Sequence, residues 1–551
     1  MRAISALAAA CAAAVLATSA AARSECAGLD AASLGVPEVT LTAAEAIAPG
    51  PEAPVAHCRV RGRTAERTGT DGRPYAISFE LALPDEWNGG FVYQFNGGND
   101  GEVRPAHGQI LGGNMAETAL GRGYAVISSD GGHDGRAHPE AGLAGSARFG
   151  FDPEARRDYG YGAVEKLAPI AKRMIAAYYG REIARSYGIG CSNGGRMAMV
   201  AASRFPELFD GFLVGAPGFN LPRAALQHAW DIQTLKPLTG DVRSAFSEAE
   251  LDLVSERIVA ACDRLDGLAD GLVLDVQGCQ RVFEPAGLAC EAGATGACLD
   301  AAKVAALEAL HRGPVTEAGE QLYGPWLWDP GIGSDNWRFW KLESTVPPWE
   351  RMPVIGVMGA ASLAQIFTTP PTEVEGSPGA LEGFLLDFDL EGGAEKIRAT
   401  APGYEMSAME FMAPPDVDEP RLEAFRAQGA RMLIFHGTAD PVFSALDTAG
   451  WYERLLANVG GEARESVRYY QVPGMPHCRG GLATDNFDLF TALAAWVEKG
   501  EAPGAVPAAM TPGNEEVPEA MASISRPLCP YPSVARYKGG DPAQAASFAC
   551  E

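Results

Sequence analysis

The sequence predicts an α/β protein whose sheet is interrupted by one long insertion. Strand-like and helix-like segments alternate over 75–215, and the same alternation returns after Arg431. Such alternation is typical of a mainly parallel sheet covered by helices. The pattern is lost in between, where six of the nine Trp residues lie. We therefore expect one discontinuous domain formed by 23–217 and 430–551, with an inserted domain over 218–429.

Both blocks contain short apolar runs bounded by turn residues, which is the pattern of buried strands. The first block has predicted strands at 77–83, 91–95, 124–128 and 187–190, and a helix near 164–178. The second block has predicted strands at 432–435 and 467–472, and a helix over 487–499. One face of that last helix is apolar, formed by Leu489, Leu493, Trp496 and Val497.

Charge and composition exclude two classes of partner. The 551 residues contain 44 Lys or Arg and 70 Asp or Glu, which gives a formal charge of −26. An acidic chain without clusters of basic residues offers no electrostatic surface to nucleic acid or anionic lipid. Beyond the N-terminus, no apolar run reaches the length of about 18 residues that could span a bilayer. We expect neither a nucleic-acid partner nor a membrane span.

The N-terminus has the features of a secretory signal peptide over 1–22. One positive charge, Arg2, precedes an apolar stretch, and three alanines end the segment as signal peptidase requires. A buried N-terminal helix is the alternative, but the segment has no polar face. A lipoprotein signal ending at Cys11 is disfavoured because the apolar stretch before it is too short. We expect a secreted or periplasmic protein.

Cysteine usage supports the same compartment. Cleavage of the predicted signal peptide would remove Cys11 and leave ten cysteines. In an oxidising compartment an even number favours disulfides over metal thiolates.

Residues 190–194, Gly-Cys-Ser-Asn-Gly, match the pattern G-x-S-x-G between a predicted strand and a helix-forming run. A serine at such a sharp turn needs a strained backbone, and the flanking glycines remove side chains that would clash. A glycine-rich turn with an ordinary serine is the alternative. The strand-turn-helix context favours Ser192 as a nucleophile.

A serine hydroxyl needs a neighbouring base and a carboxylate before it can attack. Around this turn the acid, and then the histidine, follow the serine in the chain. Asp440 follows the predicted strand 432–435, and His477 follows the strand 467–472. We predict that Ser192 attacks, that His477 relays the proton and that Asp440 holds the imidazole.

Three other residues near these loops leave alternatives open. Asp447 is the rival acid, although it lies deeper in a helix-like segment. His436 and His133 are interpreted from the residues alone as structural histidines rather than catalytic ones.

The oxyanion that forms in acyl transfer needs two preorganised N–H donors. One is expected from the backbone of Asn193, and the other from the glycine-rich loop 95–101. Within that loop we predict Gly98, with Gly97 as the alternative. The loop lacks the Lys and Ser/Thr of a phosphate-binding loop.

Two cysteines lie next to the predicted catalytic residues. Cys191 precedes the nucleophile and Cys478 follows the histidine. If Ser192 and His477 lie within hydrogen-bonding reach, these cysteines are close enough for a disulfide that joins the two loops.

Together the motifs resemble the tannase and feruloyl esterase family of α/β hydrolases. The resemblance covers most of the chain after the leader, and it is carried by 83–89, 95–101, 190–194, 436–440, 444–448, 477–481 and 526–532. It implies an α/β-hydrolase sheet with a large inserted lid domain, and a serine esterase. It also implies a disulfide pairing that cysteine counting leaves open: Cys26–Cys58, Cys191–Cys478, Cys262–Cys279, Cys290–Cys298 and Cys529–Cys550.

An acidic loop lies in the predicted insertion. It carries Asp263, Asp266 and Asp270 beside two glycines, and oxygen ligands on a flexible loop suit Ca²⁺. The resemblance implies the same ion, with main-chain oxygens of Leu268 and Leu272 as further ligands. A solvated acidic turn is the alternative. We expect a structural calcium ion and no organic cofactor.

The insertion is expected to cover the site and to select the substrate. The resemblance implies Trp340, Phe443 and His436 as substrate-binding residues. Most Trp side chains pack in cores, so for each Trp of the insertion a core position is the alternative.

One position departs from the pattern of a related enzyme that presents an arginine to a free carboxylate of its substrate. Val354 stands there, with Arg351 three residues away, and Gly359 occupies a neighbouring serine position. Loss of the charge weakens selection for a carboxylate-bearing ester.

We expect a small aromatic ester as substrate, cleaved through an acyl-enzyme on Ser192. Mono(2-hydroxyethyl) terephthalate is the leading specific substrate, and a feruloyl or galloyl ester is the alternative. A non-catalytic binding protein, a peptidase and a lipase on the same fold are less favoured.

Overall fold

The computed structural model describes residues 26–51, 53–291 and 297–551. The predicted signal peptide over 1–22, with Cys11, lies outside the described residues. Within the described part of the chain, no helix is long and apolar enough to cross a membrane.

The described residues form one large mixed sheet of nine strands in the order β1-β2-β3-β5-β4-β6-β7-β8-β9. The first three strands run antiparallel to their neighbours, and β5, β4, β6, β7, β8 and β9 pair in parallel. The strands are β1 (Thr40–Ile47), β2 (His57–Thr68), β3 (Pro74–Pro84), β4 (Gly90–Phe95), β5 (Ala125–Ser129), β6 (Arg185–Cys191), β7 (Gly211–Gly215), β8 (Arg431–Gly437) and β9 (Val467–Val472). All the strands predicted from the sequence are present in this sheet.

Helices cover both faces of the sheet and also form the segment between β7 and β8. They are α1 (Pro153–Arg157), α2 (Ala163–Tyr179), α3 (Asn193–Arg204), α4 (Leu221–Thr239), α5 (Glu248–Cys262), α6 (Val276–Val282), α7 (Ala301–Arg312), α8 (Asp335–Lys341), α9 (Ala360–Ser362), α10 (Pro378–Leu386), α11 (Leu390–Lys396), α12 (Ala408–Met412), α13 (Glu423–Ala427), α14 (Ala445–Val459) and α15 (Leu489–Lys499). Turns of π-helix lie at Asp158–Gly162, Ile355–Gly359 and Leu363–Phe367.

Alternating side chains of the strands build two cores. In β4, Phe91, Tyr93 and Phe95 pack with residues of α2 and α3 on one face of the sheet, whereas Val92 packs with α15 on the other. The last helix begins at Leu489 rather than at 487, because Asn486–Phe487 form a short strand and Asp488 caps the helix by accepting from the Thr491 N–H. Its predicted apolar face is buried except at Val497, which is half-buried.

The chain leaves the main sheet after Gly215 and rejoins it at Arg431, in the neighbouring parallel strand. Among the described residues in between, none belongs to a strand of the main sheet. The domain boundaries at 217/218 and 429/430 stay a prediction.

Small strands outside the main sheet lie near the C-terminus: β10 (Asn486–Phe487), β11 (Val506–Ala509), β12 (Ser525–Leu528), β13 (Ala535–Tyr537) and β14 (Phe548–Cys550). The five disulfides predicted from the resemblance are present with the predicted pairing.

Candidate active site

The predicted catalytic residues all follow the C-terminal ends of parallel strands. Ser192 follows β6, Asp440 follows β8 and His477 follows β9. The glycine-rich loop follows β4, which pairs with β6. Because parallel strands end at the same edge, this edge is where ligands bind in sheets of this kind.

Ser192 lies at the junction of β6 and α3 with φ 65° and ψ −127°, a strained conformation for a residue with a side chain. The glycines of the motif are required by close backbone approach. A Cβ added at Gly190 would lie 2.6 Å from the backbone of Gly194, and one added at Gly194 would lie 2.4 Å from the Phe95 carbonyl oxygen. The turn therefore has the geometry expected for a nucleophilic serine.

His477 and Asp440 are in direct contact. The Nδ1 of His477 lies 2.7 Å from Asp440 Oδ2, and both residues are buried. The other ring nitrogen, Nε2, is buried and has no hydrogen-bond partner among the described residues. That nitrogen is the one that would take a proton from a serine.

The Asp440 carboxylate is held on both oxygens. Its Oδ1 accepts from the backbone N–H groups of Val442 and Phe443 at 2.8 and 3.1 Å. Burial alone would raise the pKa of Asp440, but the charge of His477 and the hydrogen bonds from His436 and His477 outweigh it and lower the pKa below its ordinary value. The carboxylate is therefore ionised at every pH at which an esterase works.

His436 is fully buried behind the acid. Its Nε2 lies 3.2 Å from Asp440 Oδ2 and 3.0 Å from the Phe443 carbonyl oxygen, and its Nδ1 lies 2.9 Å from Thr448 Oγ1. Because its side chain has no exposed surface and both ring nitrogens have hydrogen-bond partners, it cannot contact a substrate. The structure corrects the expected substrate contact and favours a structural histidine.

The two remaining alternatives lie elsewhere. Asp447 accepts from the Asn220 side chain at 3.0 and 3.1 Å rather than from His477. His133 is fully buried against Phe149, with ring centroids 3.6 Å apart, and burial lowers its pKa to about 3. It is a neutral core side chain.

The glycine-rich loop lies against the nucleophile. A Cβ added at Gly97 would lie 3.8 Å from the Ser192 Cβ. Gly98 has φ 67°, and Asn193 is the first residue of α3. Both predicted oxyanion donors thus lie in segments next to Ser192, and the positive end of the α3 dipole favours an anion there.

A disulfide joins the two loops that carry the predicted nucleophile and base. Cys191 and Cys478 are bonded, with their Cα atoms 6.1 Å apart. The bond confirms the pairing that follows from bringing Ser192 and His477 together.

Two aromatic rings flank His477. Trp340 and Phe443 meet its ring edge-on, at centroid distances of 5.2 and 5.5 Å. Trp340 is half-buried and Phe443 is buried. Their position supports the predicted role as walls of the substrate site.

Side chains of the segment between β7 and β8 also bind the loops of Asp440 and His477, and these contacts are not predictable from the sequence. The Trp326 indole N–H donates to the Asp440 carbonyl oxygen at 3.1 Å. Buried Asp329 accepts from the Thr438 hydroxyl at 2.6 Å and from the Gly474 N–H at 3.3 Å. The only sequence signal was the density of Trp residues, which does not specify these partners.

The predicted calcium loop closes on itself through its carboxylates. Asp263 accepts from the backbone N–H groups of Asp270 and Gly271 at 3.1 and 3.0 Å. Burial, together with the charges of Asp270 and Asp263, raises the pKa of Asp266 to about 6. A cation would relieve this repulsion.

The chemistry of the loop fits calcium, whereas its arrangement does not assemble the ligands. Asp270 forms an ion pair with buried Arg526. Within 26–51, 53–291 and 297–551, no three His, Cys, Asp or Glu side chains are grouped to hold a metal ion. Calcium at Asp263, Asp266, Leu268, Asp270 and Leu272 stays a prediction.

The position where the resemblance implies an arginine is occupied by an apolar side chain. Val354 is buried, with 3% of its surface exposed. Arg351 is exposed and pairs with Glu343. Gly359 packs against His228, since a Cβ added there would lie 2.3 Å from the His228 Nδ1.

Comparison with known proteins gives one family. Residues 58–551 match the family described as "Tannase and feruloyl esterase". Mono(2-hydroxyethyl) terephthalate hydrolase of Piscinibacter sakaiensis is 41% identical over 520 residues, covering 90% of this chain and 84% of that protein. An uncharacterized esterase of Agrobacterium fabrum is 30% identical, covering 90% and 85%. The crystal structure of feruloyl esterase B from Aspergillus oryzae has a TM-score of 0.74 at 21% identity, covering 96% and 100%.

Proposed function

Since this chain belongs to the tannase and feruloyl esterase family, we propose that it is a serine esterase that hydrolyses esters of aromatic carboxylic acids through an acyl-enzyme on Ser192. The observation that carries the proposal is the hydrogen bond of 2.7 Å between His477 Nδ1 and Asp440 Oδ2. The Cys191–Cys478 disulfide links the loop of this histidine to the turn of Ser192.

In the first half of the reaction, Ser192 Oγ attacks the ester carbonyl carbon while His477 Nε2 takes its proton. The backbone N–H groups of Gly98 and Asn193 donate to the oxyanion. His477 then gives the proton to the alcohol oxygen, the C–O bond breaks and the alcohol leaves. Asp440 stabilises the imidazolium in between.

In the second half, His477 takes a proton from a water molecule, which attacks the acyl carbon. The tetrahedral intermediate collapses, Ser192 Oγ recovers the proton and the aromatic acid is released. Trp340 and Phe443, beside the His477 ring, would contact the flat acyl group.

The name of the Piscinibacter relative supports mono(2-hydroxyethyl) terephthalate as the leading substrate. A neutral phenolic ester, feruloyl or galloyl, is the second candidate, favoured by the buried apolar Val354. An apolar side chain there gives no attraction to a free carboxylate.

The substrate test compares two esters that differ only in the distal carboxylate. For the wild type, we expect kcat/KM for mono(2-hydroxyethyl) terephthalate within about tenfold of that for 2-hydroxyethyl benzoate, because a missing charge pair is worth about 1–2 kcal/mol. The Val354→Arg variant should raise the ratio of kcat/KM for mono(2-hydroxyethyl) terephthalate to kcat/KM for 2-hydroxyethyl benzoate about tenfold. Methyl ferulate and methyl gallate complete the panel.

Val354→Met is the matched control, since it adds length without charge and should leave the ratio unchanged. A wild-type ratio above about 100-fold would show that another group binds the carboxylate. No hydrolysis of any ester in the panel would contradict the proposed function.

We also propose that the enzyme is exported and that it holds a structural calcium ion. Export is supported by the predicted signal peptide and the five disulfides. Calcium is supported by the three carboxylates and the glycines of the acidic loop. No step of the reaction depends on the ion.

Calcium removal should lower the melting temperature. We expect EGTA to lower Tm by about 2 °C, because an ion that binds only the folded state stabilises it by about 2.7 kcal/mol at 100 times its Kd, and a chain of this length has an unfolding entropy of about 1 kcal/mol/K. Added Ca²⁺ should restore Tm, and Asp266→Asn should abolish the response. The exposed Asp387→Asn is the control. Equal Tm in EGTA and in Ca²⁺ would contradict the site.

A further inference from the structure

Two buried side chains link the segments that carry the predicted oxyanion donors. We propose that Arg196 and Tyr159 are positioning residues that hold the backbone N–H groups of Gly98 and Asn193 in one fixed frame. The inference rests on the proposed function, because a frame for an oxyanion has a role only where an acyl transfer occurs.

Tyr159 holds the loop on one side of the serine. Its ring is fully buried, and its hydroxyl donates to the Gly98 carbonyl oxygen at 3.1 Å. Burial raises the pKa of Tyr159, so the phenol stays protonated and remains a donor. The residue lies in the π-helical turn Asp158–Gly162, a distortion that is frequent at functional sites.

Arg196 holds the helix on the other side. Its Nε donates to the Asn193 Oδ1 at 2.6 Å. Its two terminal nitrogens donate to the carbonyl oxygens of Tyr159 at 3.0 Å and Gly160 at 2.8 Å. One rigid guanidinium thus links the residue after the nucleophile to the turn that carries Tyr159.

A weaker contact, between Asn193 and Asp100, completes the network. The Asn193 Nδ2 lies 3.4 Å from the Asp100 Oδ2, and Asp100 is two residues beyond Gly98 in the same loop. The Gly101 N–H donates to the Asp130 carbonyl oxygen at 2.9 Å, which anchors the loop to the end of β5. Both predicted donors therefore belong to one closed network.

The position of Arg196 is unfavourable for stability alone. It is fully buried, and no carboxylate of the described residues lies within ion-pair distance of it. Burying a cation without a directly bonded carboxylate costs several kcal/mol, of which the charge of nearby Asp100 offsets a part. A cation in the first turn of a helix also opposes the helix dipole. Burial lowers the pKa of Arg196 to about 10, so it stays charged. Its charge lies one hydrogen bond from the side chain of Asn193, the residue whose backbone N–H is a predicted oxyanion donor.

The test removes one hydrogen-bonding side-chain group of the network at a time. Tyr159→Phe keeps the ring and loses one donor, and Asn193→Ala keeps the backbone N–H and loses the link to Arg196. For each we expect kcat to fall about tenfold, with KM within twofold of wild type and Tm within about 2 °C. The rate of inactivation by an aromatic phosphonate, which needs the oxyanion site, should fall by the same factor. Inhibition by the free aromatic acid should not change.

Tyr161→Phe is the matched control, because Tyr161 lies in the same π-turn and its hydroxyl contacts Arg157 instead. It should leave kcat and phosphonylation unchanged. Wild-type kcat and phosphonylation in Tyr159→Phe and Asn193→Ala would overturn the inference, and so would a parallel loss in kcat, product binding and Tm, which indicates a merely structural role. If either of these two results is found while Ser192→Ala is inactive, the inference fails but the proposed function stands. An active Ser192→Ala overturns the proposed function itself.

Discussion

Replacement of Ser192 by alanine should lower kcat on the best aromatic ester by at least about 10³-fold, because no other group can form the acyl intermediate. Binding of the free aromatic acid should be retained, since the oxygen removed is not needed to hold the product. Steady-state kinetics and product inhibition measure the two effects separately.

Ser203→Ala is the matched control for this substitution. Ser203 lies on α3, the helix that follows Ser192, and its hydroxyl donates to Asp416 at 3.1 Å. It should retain near wild-type kcat. A Ser192→Ala enzyme with more than about a tenth of wild-type kcat would show that the nucleophile lies elsewhere.

Removal of the disulfide beside the active site should have the second largest effect. The Cys191–Cys478 bond spans a sequence separation of 287, and the chain-entropy treatment of such a large loop gives about 6 kcal/mol. We expect Cys191→Ala/Cys478→Ala to lower both Tm and kcat, because the bond also fixes the turn of Ser192 against the loop of His477.

The matched control removes a disulfide that closes a short loop in the inserted segment. Cys290 and Cys298 are separated by 8 positions, so the same treatment gives only about 2–3 kcal/mol. Cys290→Ala/Cys298→Ala should lower Tm less and leave kcat unchanged. Equal effects of the two double variants on kcat would contradict a positioning role for the Cys191–Cys478 bond.

Much of the site can be read from the sequence because its constraints are local. A Cβ at Gly190 or Gly194 would lie less than 3 Å from backbone atoms, so the turn requires glycine at both positions and produces a short motif that can be recognised in the sequence. The order of the acid and histidine loops follows from adjacent parallel strands. Local chemistry and chain order therefore place Ser192, Asp440 and His477.

Contacts between segments that are distant in the sequence produce no local motif and cannot be predicted in this way. Asp329 is 109 positions away from Thr438, and nothing in either local sequence indicates their bond. The same holds for Tyr159 and Gly98, which are 61 positions apart. His436 is four residues before the acid in the sequence, but only packing shows that it is fully buried.

The edge of the sheet was also missed, for a different reason. In β1, most residues are half-buried or exposed, and its Ala and Glu residues favour strands weakly. Without a buried face the alternation of apolar and polar residues is lost. Pairing with β2, and not local propensity, determines this strand.

The central claim is that the aromatic acyl group is carried on Ser192. Rapid-quench mass spectrometry of the enzyme with a p-nitrophenyl aromatic ester tests it most directly. We expect a mass increase equal to one acyl group, located by peptide mapping on the peptide that contains Ser192, and absent from Ser192→Ala. Turnover with no acyl adduct, or an adduct on another residue, would contradict it.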